Sequence, residues 1–291
     1  MKRASSWTAS RTDSSGTGAS VRRVASFDLI VATVDRTDEL RELFDSLDRQ
    51  THRSFRVLVV DQNEDDSIVP LLHDRAFETV RLRSARGLSR ARNAALAAVG
   101  ADLVAFPDDD CVYPDDLLAR VAQRFAAQPE LDGLTGRGGT TPPWQRDAAI
   151  LTRDNLWNRA VSYTMFLRVD LISRVGDFDE QLGLGSGFPW SSGEETDYLI
   201  RALDAGARIE YDPELLVEHA PNRRELRAIG ARDGASVGYL LRKHRYPRSV
   251  LARMFARPVG GALLAIARRD SQSAHFHVAT FRGRLAGYRT R

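Results

Sequence analysis

Three consecutive carboxylates, Asp108, Asp109 and Asp110, close a short apolar run, Asp102-Leu-Val-Ala-Phe-Pro107. Adjacent like charges oppose each other's ionisation, so such a run is costly unless a cation shares it. Hard divalent ions take oxygen ligands, and Mg2+ uses one or two carboxylates together with substrate phosphates. The plainer reading of these three residues alone is an acidic loop in water. Further along, Gly193-Glu-Glu-Thr-Asp197 follows a glycine-rich stretch. A carboxylate there can act as a general base, with Glu195, Glu194 and Asp197 as candidates. Ser192 and Glu195 also have capping-box spacing, which would give Glu195 a purely structural task. Asp61 ends another apolar run, where it can accept hydrogen bonds from a nucleobase or a ribose, or simply form a turn. Arg86-Gly-Leu-Ser-Arg-Ala-Arg-Asn93 sets three arginines and a glycine at a helix start, where charge and helix dipole together suit phosphate. A solvated arginine face is the alternative. His219 ends a later apolar run, a place where a single histidine is usually structural.

These groups need a frame. Phe27–Thr33 and Phe55–Val60 read as buried strands, Thr79–Leu82 as a third and 102–106 as a fourth. Between them, Leu40, Leu43, Phe44 and Leu47 repeat at helical spacing. Leu88–Val99 is an alanine-rich helix stopped by Gly100, and Asp115–Ala127 is another. The alternation predicts a parallel, Rossmann-like sheet. Such sheets bind ligands at the carboxyl ends of their strands, which puts Asp61 and the aspartate run on one rim. Gly133–Pro143 is expected to be loop, Val161–Arg168 a strand, and Gly183–Gly193 a flexible segment carrying Phe188 and Trp190. Glu194–Ala205 reads as a helix, with Arg208–Tyr211 and Leu215–His219 as two short strands. Beyond residue 222 the chain reads as helical, with Pro258 and Gly260-Gly261 splitting one helix into two.

The chain has 291 residues and 43% hydrophobic content, enough for a large α/β domain with an appendage. Its one cysteine, Cys111, excludes a disulfide framework and a cysteine zinc cluster. The anionic run beside it should raise its pKa and leave it unreactive. The net charge of +3 hides an asymmetry. Residues 222–291 carry 16 Arg/Lys against 3 Asp/Glu, and residues 25–221 carry 21 against 35. The basic tail suits an anionic partner: a membrane surface, nucleic acid or an acidic polymer. Its mixed apolar and basic stretch from Ser249 to Arg269 could lie on an anionic membrane or pack on the catalytic domain or a partner subunit. Residues 1–24 lack an apolar signal core and read as a disordered arm. No 18-residue apolar stretch is seen, so no spanning helix is expected. The expected location is cytoplasmic, with the inner face of the cell membrane as the surface the tail fits.

Taken together, five segments resemble the family 2 glycosyltransferases of the GT-A fold. They are Leu29-Ile-Val-Ala-Thr33, Val57-Leu-Val-Val-Asp-Gln-Asn63, Gly87-Leu-Ser-Arg-Ala-Arg-Asn93, Ala105-Phe-Pro-Asp-Asp-Asp110 with Pro114-Asp115, and Gly193-Glu-Glu-Thr-Asp-Tyr198 with Arg201. No single segment is specific; their order and intervals are. The resemblance implies a three-layer α/β/α catalytic domain over 25–221, with a mostly parallel sheet, followed by a basic helical region over 222–291. It implies a nucleotide-diphospho-sugar donor bound at the rim by Thr33, Asp61, Arg86, Arg90, Asn93, Asp108 and Asp109. It implies Mg2+ or Mn2+ on the aspartate run, with Asp108, Asp109, Asp110 and His219 as candidate ligands. The base aligns with Glu195, where the family usually has aspartate, and Asp197 and Glu194 are the alternatives. Transfer would go with inversion to a hydroxyl of a glycan or a lipid-linked acceptor, with Trp190 a candidate contact. A nucleotidyltransferase would favour a glycine-rich, lysine-bearing loop where Ala32-Thr-Val-Asp-Arg36 stands. A nucleic-acid binder would interleave aromatic and basic residues in the tail, which this chain does not.

Overall fold

The computed structural model describes residues 24–139, 144–219 and 226–290. The expected N-terminal arm lies outside them, save for Val24. Four parallel strands come first, β1 (Phe27–Thr33), β2 (Phe55–Asp61), β3 (Glu78–Arg83) and β4 (Leu103–Ala105), in the order β3-β2-β1-β4. β1 and β2 are apolar almost throughout, as a sheet covered on both faces requires. The connecting helices are α1 (Thr37–Asp48), α2 (Leu88–Leu96) and, after the short strand β5 (Cys111–Val112), α3 (Leu117–Ala127). Leu40, Leu43, Phe44 and Leu47 of α1 are fully buried and join Phe27, Leu29 and Val31 of β1 and Val121 of α3 on one face. On the other face Ile30, Leu58, Val60 and Val104 meet Ala91 and Ala95 of α2, whose small side chains let the helix lie close. The chain forms the expected GT-A-type α/β/α sandwich.

The second half of the sheet departs from the sequence reading. Residues expected as loop supply β6 (Gly133–Gly138), which sits inside the sheet. Its glycines answer to crowding: a Cβ on Gly136 would lie 2.2 Å from the Leu215 carbonyl oxygen, and one on Gly138 would lie 2.1 Å from the Tyr163 hydroxyl. After β7 (Ala149–Ile150), the stretch expected as one strand begins as a 3-10 turn at Ser162–Thr164 and becomes β8 only at Phe166–Arg168. Helices α4 (Val169–Val175) and α5 (Glu194–Asp204) follow. The two short strands expected after α5 are one, β9 (Ile209–His219), whose register against β6 slips between Thr135 and Arg137. Pro213, which has no N–H to donate, lies in this irregular stretch. β8 runs antiparallel to β4 and β6, while β6 and β9 are parallel, so the sheet is mixed.

The tail forms three helices, α6 (Leu226–Lys243), α7 (Arg248–Ala267) and α8 (Ser271–Arg289). α6 and α8 touch along backbone: a Cβ on Gly238 would fall 2.0 Å from the Arg284 carbonyl oxygen, and one on Gly287 would fall 1.9 Å from that of Ala235. α7 corrects two expectations. It is not split, because Pro258 sits buried within one 20-residue helix. A proline orphans the carbonyl four residues back; here that carbonyl, on Met254, accepts from the buried Arg284 guanidinium instead. The unbroken helix is also long and apolar enough to cross a bilayer, although only 22% of its most apolar stretch is buried in the protein.

Candidate active site

The aspartate run is pinned at both ends. β4 leads into it, and β5 leaves it by pairing antiparallel with the end of β9, Cys111 opposite His219. That pairing delivers the histidine: its Nε2 lies 2.9 Å from Asp110 Oδ1 and 3.9 Å from Asp108 Oδ2. Among the described residues, one ligand atom each from Asp108, Asp110 and His219 lie within 4.8 Å of one another. Asp109, also expected as a ligand, turns away; it is buried and accepts from Arg36 Nη1 at 2.9 Å. Arg36 reaches Asp110 as well, at 2.5 Å. The Tyr163 ring stacks on His219 at 4.8 Å and 22°. Burial raises the pKa of Asp108 and pushes Asp109 up to about 6, against the opposing charge of its arginine partner. Burial acts on Asp110 too, but the hydrogen bond and charge of His219 and the charge of Arg36 outweigh it, so its pKa is lowered. Two carboxylate oxygens and one imidazole nitrogen are donors that suit Mn2+ well and Mg2+ less completely. Cys111 is buried, with its thiol pKa driven up by burial and by the aspartates, and has the inert character expected of it.

α5 presents the second group of carboxylates. Gly193 precedes it in the left-handed region, at φ 82°, and no side chain caps the helix. The capping box therefore does not form: the Ser192 hydroxyl engages Asp233 and Ser236 of α6, at 3.0 and 2.8 Å. Glu194 is buried and accepts from Arg92 at 2.9 Å. Asp197 is fully buried and meets Lys243 at 2.6 Å, His244 at 2.8 Å and Arg201 at 2.9 Å. Burial opposes its ionisation, but the His244 hydrogen bond and the charges of Lys243 and Arg201 win and hold it at about 2. Glu194 and Asp197 are thus committed to arginine and to the tail. Among the described residues, the Glu195 carboxylate accepts from the neighbouring Thr196 hydroxyl, at 3.2 Å. Burial, and then the charge of Glu194, raise the pKa of Glu195, partly offset by Arg92.

Arg92 joins the two groups; the sequence offers it only as one of three arginines suited to phosphate, and here it meets carboxylates instead. It is 1% exposed, donates to Asp108 at 3.2 Å and to Glu194 at 2.9 Å, and lies over the Phe106 and Phe178 rings. The signal was present: Arg92 shares the inward face of α2 with Ala91 and Ala95, a face that otherwise carries small packing residues. Removing one member of a buried charge cluster strands the others. Arg92→Met is expected to cost about 3–5 kcal/mol in urea unfolding. Arg92→Lys should recover only part, because an ammonium lacks the planar fork that spans both carboxylates. A loss below about 1 kcal/mol would show that the cluster does not hold the two motifs together.

The rim residues behave unequally. Thr33 and Asp61 are paired neighbours at the ends of β1 and β2, both buried. Asp61 has both oxygens engaged: Oδ1 accepts from the Asn63 backbone and side chain, and Oδ2 accepts from Arg81 at 2.7 and 2.9 Å. In this structure it orders the loop after β2, with its oxygens taken by protein donors. Gln62, next to it, accepts from the Gly87 amide at 2.7 Å, and the Leu88 amide donates to the Leu184 carbonyl, so two amides at the start of α2 are already used. Arg86 and Arg90 lie in solvent, paired with Asp35 and Glu180. Asn93 clamps the Phe178 backbone through both ends of its amide. Trp190 is buried and stacks on Tyr239 at 4.7 Å, which leaves Phe188 as the exposed aromatic of that segment.

Residues 28–174 match the family model for glycosyl transferase family 2. The chain belongs to that family. The family 2 match contains the aspartate run and Arg92 and ends before Glu194, Glu195 and His219. The pre-mycofactocin glycosyltransferase of Mycobacterium tuberculosis is 30% identical over 81% of this chain and 51% of its own length. The O-antigen biosynthesis protein RfbC of Myxococcus xanthus is 30% identical over 68% of this chain and 16% of its own. The chain thus spans about half, or less, of the length of these curated relatives. Among solved structures, the mannosyltransferase PcManGT of Pyrobaculum calidifontis, in complex with GDP-Man and Mn2+, aligns at a TM-score of 0.66 and 15% identity, over 90% of this chain and 87% of that one. Residues 1–349 of S. aureus TarS with UDP-GlcNAc align at 0.60 and 17% identity, over 88% and 90%. At such identities the likeness is one of fold, and it agrees with the family 2 assignment.

Proposed function

We propose that this family 2 protein transfers a glycosyl group from a nucleotide-diphospho-sugar to a hydroxyl of a glycan or lipid-linked acceptor, with inversion and with help from a divalent cation. The observation that carries this reading is the junction at Arg92, which sets the Asp108–Asp110–His219 cluster beside the helix start that bears Glu195. The Glu195 carboxylate takes the acceptor's proton as the acceptor oxygen bonds to the anomeric carbon. The bond from that carbon to the diphosphate oxygen breaks, and its electron pair leaves with the nucleoside diphosphate. Asp108, Asp110 and His219 would hold Mn2+ or Mg2+, which supplies positive charge for the departing diphosphate. Arg36, tied to Asp109 and Asp110, fixes the orientation of the run. The complexes of PcManGT with GDP-Man and Mn2+ and of TarS with UDP-GlcNAc support a donor of this class.

A thermal-shift screen of UDP-, GDP- and dTDP-sugars with Mn2+ tests the reading. A donor present at a hundred times its Kd adds about 2.7 kcal/mol of stability, so one nucleotide-sugar should raise Tm well above the rest. The shift should shrink when Mn2+ is chelated. Absence of a shift with every donor, with and without metal, rejects the proposal.

A further inference from the structure

α7 is apolar on two sides, and only one side is covered. Val250, Met254, Pro258 and Ala265 are buried against the rest of the protein. Phe255 meets Phe281 and Tyr288 of α8. On the outward side, Val259, Leu263 and Ile266 follow one another at i, i+4 and i+7 and are 44%, 65% and 62% exposed, with Leu264 beside them at 52%. Gly261 packs against the His277 ring, so Val278 of α8, itself 38% exposed, stands at the same level. A contiguous exposed aliphatic face of this kind is normally covered, by protein or by lipid.

Charge decides between these occupants. From Arg248 to Arg289 the chain carries eight arginines and a single acidic residue, Asp270. Arg257 precedes the outward aliphatics, and Arg268 and Arg269 follow them directly, all exposed. A second copy docked on this face would bring its own Arg257, Arg268 and Arg269 against those of the first. An anionic bilayer presents the opposite charge at its surface and hydrocarbon just beneath it. Aliphatic residues flanked by arginines fit that profile.

We infer that the outward face of α7, with the start of α8, docks on an anionic lipid bilayer. The helix lies in the interface, because its other side is occupied by the bundle. Val259, Leu263, Leu264 and Ile266 enter the boundary of the acyl chains, and Arg257, Arg268 and Arg269 meet lipid phosphates. This places one edge of the tail on the membrane without using any residue of the candidate active site, so the inference stands or falls separately from the transfer reaction.

Co-sedimentation of the full chain with vesicles, without donor or acceptor, tests it. Vesicles containing phosphatidylglycerol should pellet the protein, and pure phosphatidylcholine vesicles should not. Each arginine near an anionic surface contributes about fivefold to binding, so Arg268→Gln with Arg269→Gln should weaken it about thirtyfold. Leu263→Glu with Ile266→Glu, at exposed positions, should abolish pelleting while Tm is kept. No pelleting with anionic vesicles, or pelleting that neither double variant changes, overturns the inference. A dimer in light scattering that Leu263→Glu dissolves, without vesicle binding, overturns it in favour of self-association.

Discussion

Asp110→Asn is expected to lower glycosyl transfer by about 10²–10³-fold, the range found when a preorganised charge at a reacting centre is removed. The substitution keeps the volume and removes the carboxylate that His219 Nε2 approaches at 2.9 Å. Arg36 keeps Asp109 as its partner, so the fold should survive, and Tm without metal provides the check. The informative comparison is Asp109→Asn. Its carboxylate faces Arg36 and lies outside the three-residue cluster, so the loss there should be the smaller one, at the low end of about 10–100-fold, the range for groups that orient metal ligands. The Asp110 variant should demand more metal, with the Mn2+ needed for half-maximal rate rising about 10–100-fold. Measuring rate against Mn2+ concentration for both variants separates the roles. Equal losses at the two positions would reject the assignment of Asp108, Asp110 and His219 as the ligand set.

Glu195→Gln should abolish turnover almost completely, by about 10²–10⁴-fold, the usual contribution of a positioned base. Donor binding should be unchanged in thermal shift, since the variant removes proton acceptance and leaves the rim intact. The pH profile carries a second signature. A base works only when ionised, and burial with the neighbouring charge of Glu194 raises the pKa of Glu195. The rate should therefore fall as pH drops through a value above the ordinary glutamate figure of about 4.3. The residual rate of the glutamine variant should lack that acid limb. Glu194→Gln provides the contrast: it strips Arg92 of a buried partner and should act first on stability. A Glu195→Gln enzyme with wild-type turnover would move the base elsewhere.

The first half of the fold was legible because its code is local. Apolar strands and the Leu40–Leu47 stripe each specify an element without reference to distant residues, although α2 ends at Leu96, ahead of the stop expected at Gly100. The second half was not, because its evidence is long-range. The glycines of β6 read as loop markers in sequence, yet their task is to admit the Leu215 carbonyl and the Tyr163 ring from other elements. Pro258 reads as a helix breaker until the guanidinium of Arg284, 26 residues on, takes the carbonyl it orphans. The candidate site divides the same way. The carboxylates themselves were visible as residue types. How they divide depended on partners far along the chain: His219 gathers Asp108 and Asp110, Arg92 takes Glu194, and Lys243 and His244 take Asp197. The capping-box spacing of Ser192 and Glu195 misled because α6 claims the serine first.

The ties of Asp197 bear on how this chain can be cut and joined. It lies two residues past Glu195, in a dry setting, and two of its three side-chain partners, Lys243 and His244, come from the end of α6 and the residue after it. A chimera that kept residues up to β9 and borrowed another C-terminal region would leave this buried carboxylate with Arg201 as its one remaining partner, on the helix that carries the base. Any graft here has to bring a cation for position 243 and a hydrogen-bonding partner for position 244, or give up the carboxylate at 197 at the same time. The swappable unit is therefore larger than the strand-and-helix body, and its natural seam lies beyond His244.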